Sequence, residues 1–415
     1  MAKQRTGQFP WQCLGNVWMV GLAWTLMAVF CPGKAMGAAE SPSPSATSAA
    51  LEYQETDYSV NTWSVALGSQ TKPFKKEPAG LSGKIIRGTL NFGAGSSNSV
   101  PFLWARDARK LYLDLNGDGD LFQDASKMFS TDTAASANYQ TFKHVRLLLN
   151  TIFGYCRVQL TLNFYDYGQA IGPTCAIEAH SFWQGKLSLQ GRDWQAGIVP
   201  SALAQAGLLA NGWLLLRPWE NRNQPFSATD RNLAAVPLSR KIFVDGHAYQ
   251  MDWSGEPGKG MVSPLLQFTE QSVALGELNI TGQFIGRLVL KGGSYLVVLD
   301  QPAGMVKVPT GSYNQVDFLL ERNGAVAYLL NSGLAQLDRQ KISVNDKTSA
   351  ALNVGGPLTN SITANRHGQD LVMNYQLVGA GGETYQMAAL DRSKPPKFAV
   401  YSGEKKIASG EFEYG

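Results

Sequence analysis

The sequence predicts a mainly β protein, built of several antiparallel β-sandwich or barrel-like modules with little helix. Three observations lead there. Short segments that alternate apolar and polar residues, such as Lys84–Phe92 (KIIRGTLNF) and Tyr155–Phe164, recur from Leu51 to the C-terminus. Charged residues make up only 16% of the chain, against 43 Gly, 15 Tyr and 10 Trp, a balance that suits tight turns and half-buried strands better than solvent-facing helices. At 415 residues the chain also exceeds what one hydrophobic core commonly serves, so two or three folded modules are expected.

The N-terminus reads as an export signal. Lys3 and Arg5 precede a mostly apolar run from Cys13 to Cys31, and Ala35-Met36-Gly37 offers small residues for cleavage. Residues 1–37 are therefore expected to be a signal peptide, with a retained membrane anchor as the alternative. Removing Lys3, Arg5 and Lys34 leaves 33 basic against 32 acidic residues, a net charge of +1. With no block of Lys or Arg, a nucleic-acid partner is not expected, and no later span is apolar enough for membrane insertion once the signal is gone. The expected location is secreted, periplasmic or cell-envelope. Cys156 and Cys175 then remain as an even pair in an oxidising compartment, flanking an expected hairpin centred near Tyr165-Asp166; a disulfide between them is expected, with two buried thiols as the alternative.

Along the chain, 38–50 is small, polar and Pro-containing, and reads as a flexible linker. A larger β domain is expected over 51–265, a β-sandwich module over 266–350 and a small C-terminal β module over 351–415. Leu187–Gln195 (LSLQGRDWQ) aligns with Ile242–Gln250 (IFVDGHAYQ), and Gly382–Gln386 echoes it more briefly. The shared pattern predicts a tight β-hairpin in which Gly takes positive φ and the following aromatic packs inward. Pro200–Ala210 (PSALAQAGLLA) is the best helix candidate, with Pro in its first turn and Asn211-Gly212 to stop it. Val306–Tyr313 (VKVPTGSY) resembles a turn found in many extracellular immunoglobulin-like and transthyretin-like modules.

One stretch suggests specific chemistry. In Lys110–Asp124 (KLYLDLNGDGDLFQD), Asp114, Asn116 and Asp118 alternate, Gly119 follows, and Asp120 and Asp124 add two carboxylates. Calcium takes six to eight hard oxygen ligands, and closely spaced Asp and Asn side chains supply them while the ion offsets their mutual repulsion. The pattern resembles the calcium loop of EF-hands and dockerins. That resemblance implies Asp114, Asn116 and Asp118 as the first, third and fifth ligands, Gly119 as the turn, and one structural calcium ion as cofactor. Position twelve, an acid in those families, is Ala125 here, and KLYLD enters as a strand, so a strand-borne loop is expected. The alternative is an ordinary hairpin, because Asn116-Gly117 is a strong type I′ turn signal.

Enzyme signals are thin. His144, His180, His247 and His367 are scattered, and no HExxH or GxSxG motif is present. Gly355-Gly356-Pro357 has the look of an oxyanion loop but no nucleophile accompanies it. The functional expectation is a non-enzymatic envelope or extracellular protein that binds calcium. The alternative is a polysaccharide-binding or polysaccharide-processing protein, in which exposed tryptophans among Trp183, Trp194, Trp213, Trp219 and Trp253 stack on sugar rings. Polysaccharide and another envelope protein are the partner classes left open.

Overall fold

Most of the alternating segments become strands in a computed structural model of the chain. It describes residues 46–415 except 69–72, 93–97, 123–126, 135–136, 152–153, 169–171, 204–206, 209–211, 229–232, 255–263, 330–340, 369, 388–394 and 413–415. The described residues contain no helix of seven residues or more, and the sheets are largely antiparallel, sandwich-like and without a closed barrel. The signal-peptide segment lies outside the described residues, as does 38–45 of the expected linker. Ala46–Ala50, the rest of that linker, is a strand instead: it pairs with Leu265–Thr269 and buries Ala49. Small residues suit this position because the strand lies against a neighbour. A Cβ at Gly185 would come within 2.3 Å of the Ala50 carbonyl oxygen.

Three sheets build most of the structure. An eight-stranded sheet runs from Met128–Ser130 at one edge, through Lys110–Leu113, Ser99–Ala105, Ile85–Asn91, Asn61–Gly68, Pro173–Ala179 and Gly154–Asp166, to Tyr139–Thr151. A five-stranded sheet includes Ser181–Leu189, Arg192–Val199 and Trp213–Pro218, and an eleven-stranded sheet includes Lys241–Val244, Ile285–Lys291 and Leu296–Asp300. The last two of these strands pair with each other, and Leu296–Asp300 lies parallel to Lys241–Val244.

These three strands of the large sheet are buried on both faces. Ile242, Val244, Val289, Leu296 and Val298 join a core shared with the other two sheets. Their alternate neighbours Phe243, Leu288, Leu290, Val297 and Leu299 join a second core with Leu278, Phe318 and Tyr313. Side chains alternate across a strand, so a continuous apolar run such as LVVL supplies two cores at once. Arg287 is the polar exception on this surface. Its Nε and Nη2 donate to the two carboxylate oxygens of Asp300 (2.6 and 3.1 Å), and its Nη1 donates to the carbonyls of Leu216 (2.6 Å) and Leu233 (2.9 Å). One side chain thereby ties the large sheet to the end of the five-stranded one.

The first two members of the repeat take the expected tight-hairpin form, as does the separate Arg322–Ala325 connection, while the third does not: Val378 pairs with Thr384, leaving five residues around Gly382. Leu189 pairs with Arg192, Val244 with His247, and Arg322 with Ala325, so each connection has two residues. Gln190-Gly191, Asp245-Gly246 and Asn323-Gly324 all have positive φ, the type I′ geometry whose twist matches the flanking strands. The aromatics of the repeat, Trp194, Tyr249 and Tyr385, are all buried, as the core reading requires. In the Val306–Tyr313 turn, the Tyr313 hydroxyl donates to the Pro309 carbonyl (2.6 Å), and burial pushes its pKa up to about 12.

Two expectations are corrected. The described part of Pro200–Ala210 is a two-stranded ladder, with Ala202 opposite Leu208 and Leu203 opposite Gly207, rather than a helix. No disulfide joins Cys156 to Cys175. Cys175 sits opposite Phe164, and Cys156 sits on the same strand opposite Leu149. Eight positions of strand at about 3.3 Å each put the two cysteines far beyond bonding range. The connection is longer than a tight hairpin, which shifts the register away from the sequence midpoint. Burial also pushes the Cys175 thiol pKa up.

Replacing Arg287 with Met leaves Asp300 without its bidentate partner and two carbonyls without donors. Urea unfolding is expected to show a loss of about 3–5 kcal/mol, with Arg287→Met/Asp300→Leu recovering part of it. A loss below about 1 kcal/mol would mean that Arg287 behaves as a surface ion pair and does not hold the sheets together.

Candidate functional site

The acidic segment is not a hairpin turn. Tyr112 pairs with Met128 on the neighbouring strand, so the connection between them is far longer than a two-residue turn. A type I′ turn needs positive φ at both central residues. Here Gly117 (72°) and Gly119 (77°) have positive φ, while Asn116 is not among the residues that do. The alternative reading of Asn116-Gly117 therefore fails on backbone geometry.

Alternating oxygens instead wind the loop. Asp114, buried at the end of Lys110–Leu113, accepts from the Gly117 N–H through Oδ1 (2.9 Å) and from the Gly119 N–H through Oδ2 (3.0 Å). Asn116 accepts from the Asp118 N–H (3.3 Å), Asp118 from the Asp120 N–H (2.7 Å), and Asp120 from the Phe122 N–H (2.9 Å). The Asn116 amide also donates to Asp118 Oδ2 (2.7 Å). These are successive Asx turns, which explains why acceptors recur at every second position. A neighbouring segment stitches the loop down: the Lys75 N–H donates to the Gly119 carbonyl (2.8 Å) and the Leu121 N–H to the Lys76 carbonyl (3.0 Å).

Charge compensation is partial. The Lys76 ammonium, itself largely exposed, lies 3.2 Å from Asp120. Asp114 and Asp118 have no ion pair among the described residues. Asp124 lies outside the described residues. The loop gathers Asp114, Asn116, Asp118 and Asp120, but among the described residues no three acidic, His or Cys side chains converge closely enough to hold a metal unaided. The donors are nonetheless the hard oxygens calcium prefers, and a carboxylate oxygen accepting one N–H keeps a second lone pair.

The other sequence candidates are spent on structure. Trp183 and Trp194 are buried, and Trp213, Trp219 and Trp253 are half-buried. Arg222 covers the Trp219 ring at 5.0 Å, and Arg240 covers Trp253 at 4.1 Å. His247 contacts Glu270 (2.8 Å), His180 lies 3.6 Å from Glu178, and His144 has positive φ within an irregular stretch between Phe142 and Val145 where the strand register shifts. The Gly355 N–H, an oxyanion donor in the enzyme reading, donates to Glu383 (2.6 Å) and to the Tyr385 hydroxyl oxygen (3.0 Å). The same Glu383 carboxylate accepts from the Gly381 N–H (2.9 Å) and the Tyr385 hydroxyl (2.5 Å). Burial, then the adjacent Glu383, pushes the Tyr385 pKa up.

Sequence reasoning missed that carboxylate cluster and a second one at Asp166. Asp166 receives Lys84 Nζ (2.5 Å) and Arg106 Nη1 (2.6 Å), while Arg106 Nη2 donates to the Ala137 carbonyl (2.8 Å). Lys84 and Arg106 lie 82 and 60 residues from Asp166, and Gly355 lies 28 residues from Glu383, so no local spacing announces either cluster, although Gly381 and Tyr385 flank Glu383.

No protein-family model, no curated protein and no solved structure matches this chain.

The Lys84 ammonium bonded to Asp166, helped by the nearby Arg106, holds its carboxyl below the ordinary value of 3.8. A carboxyl lowered in the folded state stabilises fully above its unfolded pKa, and that stabilisation is lost as pH falls through the lowered folded value. Asp166→Asn is therefore expected to lower stability at neutral pH and to lose less of it on acidification, measured by urea unfolding from pH 7 downward. An acid profile identical to that of the unaltered protein would exclude Asp166 from the acid response.

Proposed function

We propose that the chain is an exported, non-enzymatic protein of the cell envelope or extracellular space, and that the loop from Asp114 to Asp124 holds one structural calcium ion. The observation that carries this reading is the loop itself. Four side chains offer oxygens at alternate positions on one wound segment, and two of its carboxylates lack a cation partner among the described residues. Asp114, Asn116 and Asp118 would hold the ion, with Asp120 and Asp124 as further oxygen donors. Bound there, calcium neutralises the like charges and fixes the loop.

Export is supported by the charged, apolar and small-residue order of the first 37 residues. No helix among the described residues is long and apolar enough to cross a membrane. A non-catalytic role is supported by the way Glu383, Asp166 and Arg287 are committed to structural hydrogen bonds. The burial of Trp183 and Trp194 weighs against sugar stacking as the leading reading.

Thermal melts of metal-stripped protein with and without calcium test this. The melting temperature is expected to rise with calcium, corresponding to about 2.7 kcal/mol at roughly a hundredfold excess over the dissociation constant. Asp118→Asn keeps an oxygen to accept the Asp120 N–H but removes a charge; it is expected to fold without calcium and to lose most of the shift. An unchanged melt at millimolar calcium would leave the loop a hydrogen-bonded turn with no ion.

A further inference from the structure

We propose that the cavity beside Arg217 binds a small hydroxylated monocarboxylate, a sugar acid by chemical class. The cavity encloses about 530 Å3, within the range of small-molecule sites, and lies where the five-stranded sheet meets the large one. Arg217, Arg287 and Asp300 line it together with Arg192, Glu220 and Glu321. The charges at this site are not equivalent. Arg287 and Asp300 neutralise each other in a bidentate pair. Arg192 is half-exposed and only loosely shared between Asp245 (3.9 Å) and Asp300 (3.8 Å). Glu220 and Glu321 are exposed and therefore screened by solvent.

Arg217 differs from all of these. It is 5% exposed, and no carboxylate pairs with it among the described residues. Its Nε donates to Gln195 Oε1 (2.6 Å), and its Nη2 donates to the carbonyls of Arg222 (3.1 Å) and Gln224 (2.8 Å). A guanidinium has five N–H donors, so the two on Nη1 are left without an acceptor among the described residues. The Arg217 side chain lines the cavity. Burial, and to a lesser extent the like charge of Arg287, disfavours the charged form of Arg217, while Tyr58 favours it and the Phe226 ring faces the guanidinium at 5.1 Å.

A buried cation without a counter-ion is costly, and an entering anion offsets that cost. Among the described residues the uncompensated charge is single, which matches a carboxylate. A phosphate dianion would bring its second charge close to Asp300, Glu220 and Glu321. Those two rim glutamates instead suit a ligand with hydroxyl donors, and the side chain of Arg217 is already fixed by three hydrogen bonds, so little reorganisation accompanies binding.

Isothermal titration of the full chain with glucuronate, glucose and inorganic phosphate tests the proposal. Glucuronate is expected to bind, with glucose and phosphate at least about tenfold weaker, equivalent to about 1.4 kcal/mol. Arg217→Lys, which cannot reproduce the fork, is expected to weaken glucuronate by a similar factor. Because that variant loses anchoring bonds, Val326→Trp is the second test: it adds bulk to the cavity wall from a different strand and leaves the hydrogen bonds of Arg217 in place, and is expected to abolish binding with an unchanged circular dichroism spectrum. No glucuronate binding by the folded protein, equal binding of glucose or phosphate, or full affinity in Val326→Trp would overturn the assignment.

Discussion

The structure depends on three strands that have no solvent face. Lys241–Val244, Ile285–Lys291 and Leu296–Asp300 send alternate side chains into two cores, so neither core closes without them. Each buried apolar side chain contributes about 1.5–3 kcal/mol, so this layer adds to the cohesion of both cores. A strand buried on both faces tolerates a polar residue where most of its donors find acceptors. Arg287 meets that condition, with four of its five N–H donors taken by Asp300, Leu216 and Leu233.

The same rule governs the other buried polar groups. Glu383 is satisfied by two backbone amides and a tyrosine hydroxyl, and Asp166 by Lys84 and Arg106. Both sit where segments distant in sequence meet, and both are complete without a ligand. Arg217 is held just as firmly through Nε and Nη2, yet keeps unspent donors and no counter-ion among the described residues. That contrast separates a structural arginine from one with capacity to bind.

The acidic loop is an intermediate case. Its carboxylates cap successive backbone amides, which gives them a structural use without any ion, while Asp114 and Asp118 remain unpaired charges among the described residues. The loop was legible in the sequence because its ligand-type residues are local: Asp114, Asn116, Asp118 and Asp120 act on amides two to five positions away. Its escape from a type I′ hairpin was not legible. Asn116-Gly117 is a valid hairpin signal, and what overrides it is the pairing of Tyr112 with Met128. Cys156 and Cys175 failed for a related reason, since the length of the connection sets the register and the midpoint of the segment does not.

By itself the sequence determined the β class, the alternating faces and the type I′ turns at Gln190-Gly191 and Asp245-Gly246, because each follows from side-chain periodicity or backbone freedom within a few residues. Only the tertiary structure decided the parallel pairing of Lys241–Val244 with Leu296–Asp300, the strand made from Ala46–Ala50, and the sites around Arg217, Glu383 and Asp166. The physical reason is common to all of them. Burial and long-range pairing choose among segments whose local preferences are equal, and a polar group's role is set by whichever partners that choice brings within hydrogen-bonding distance.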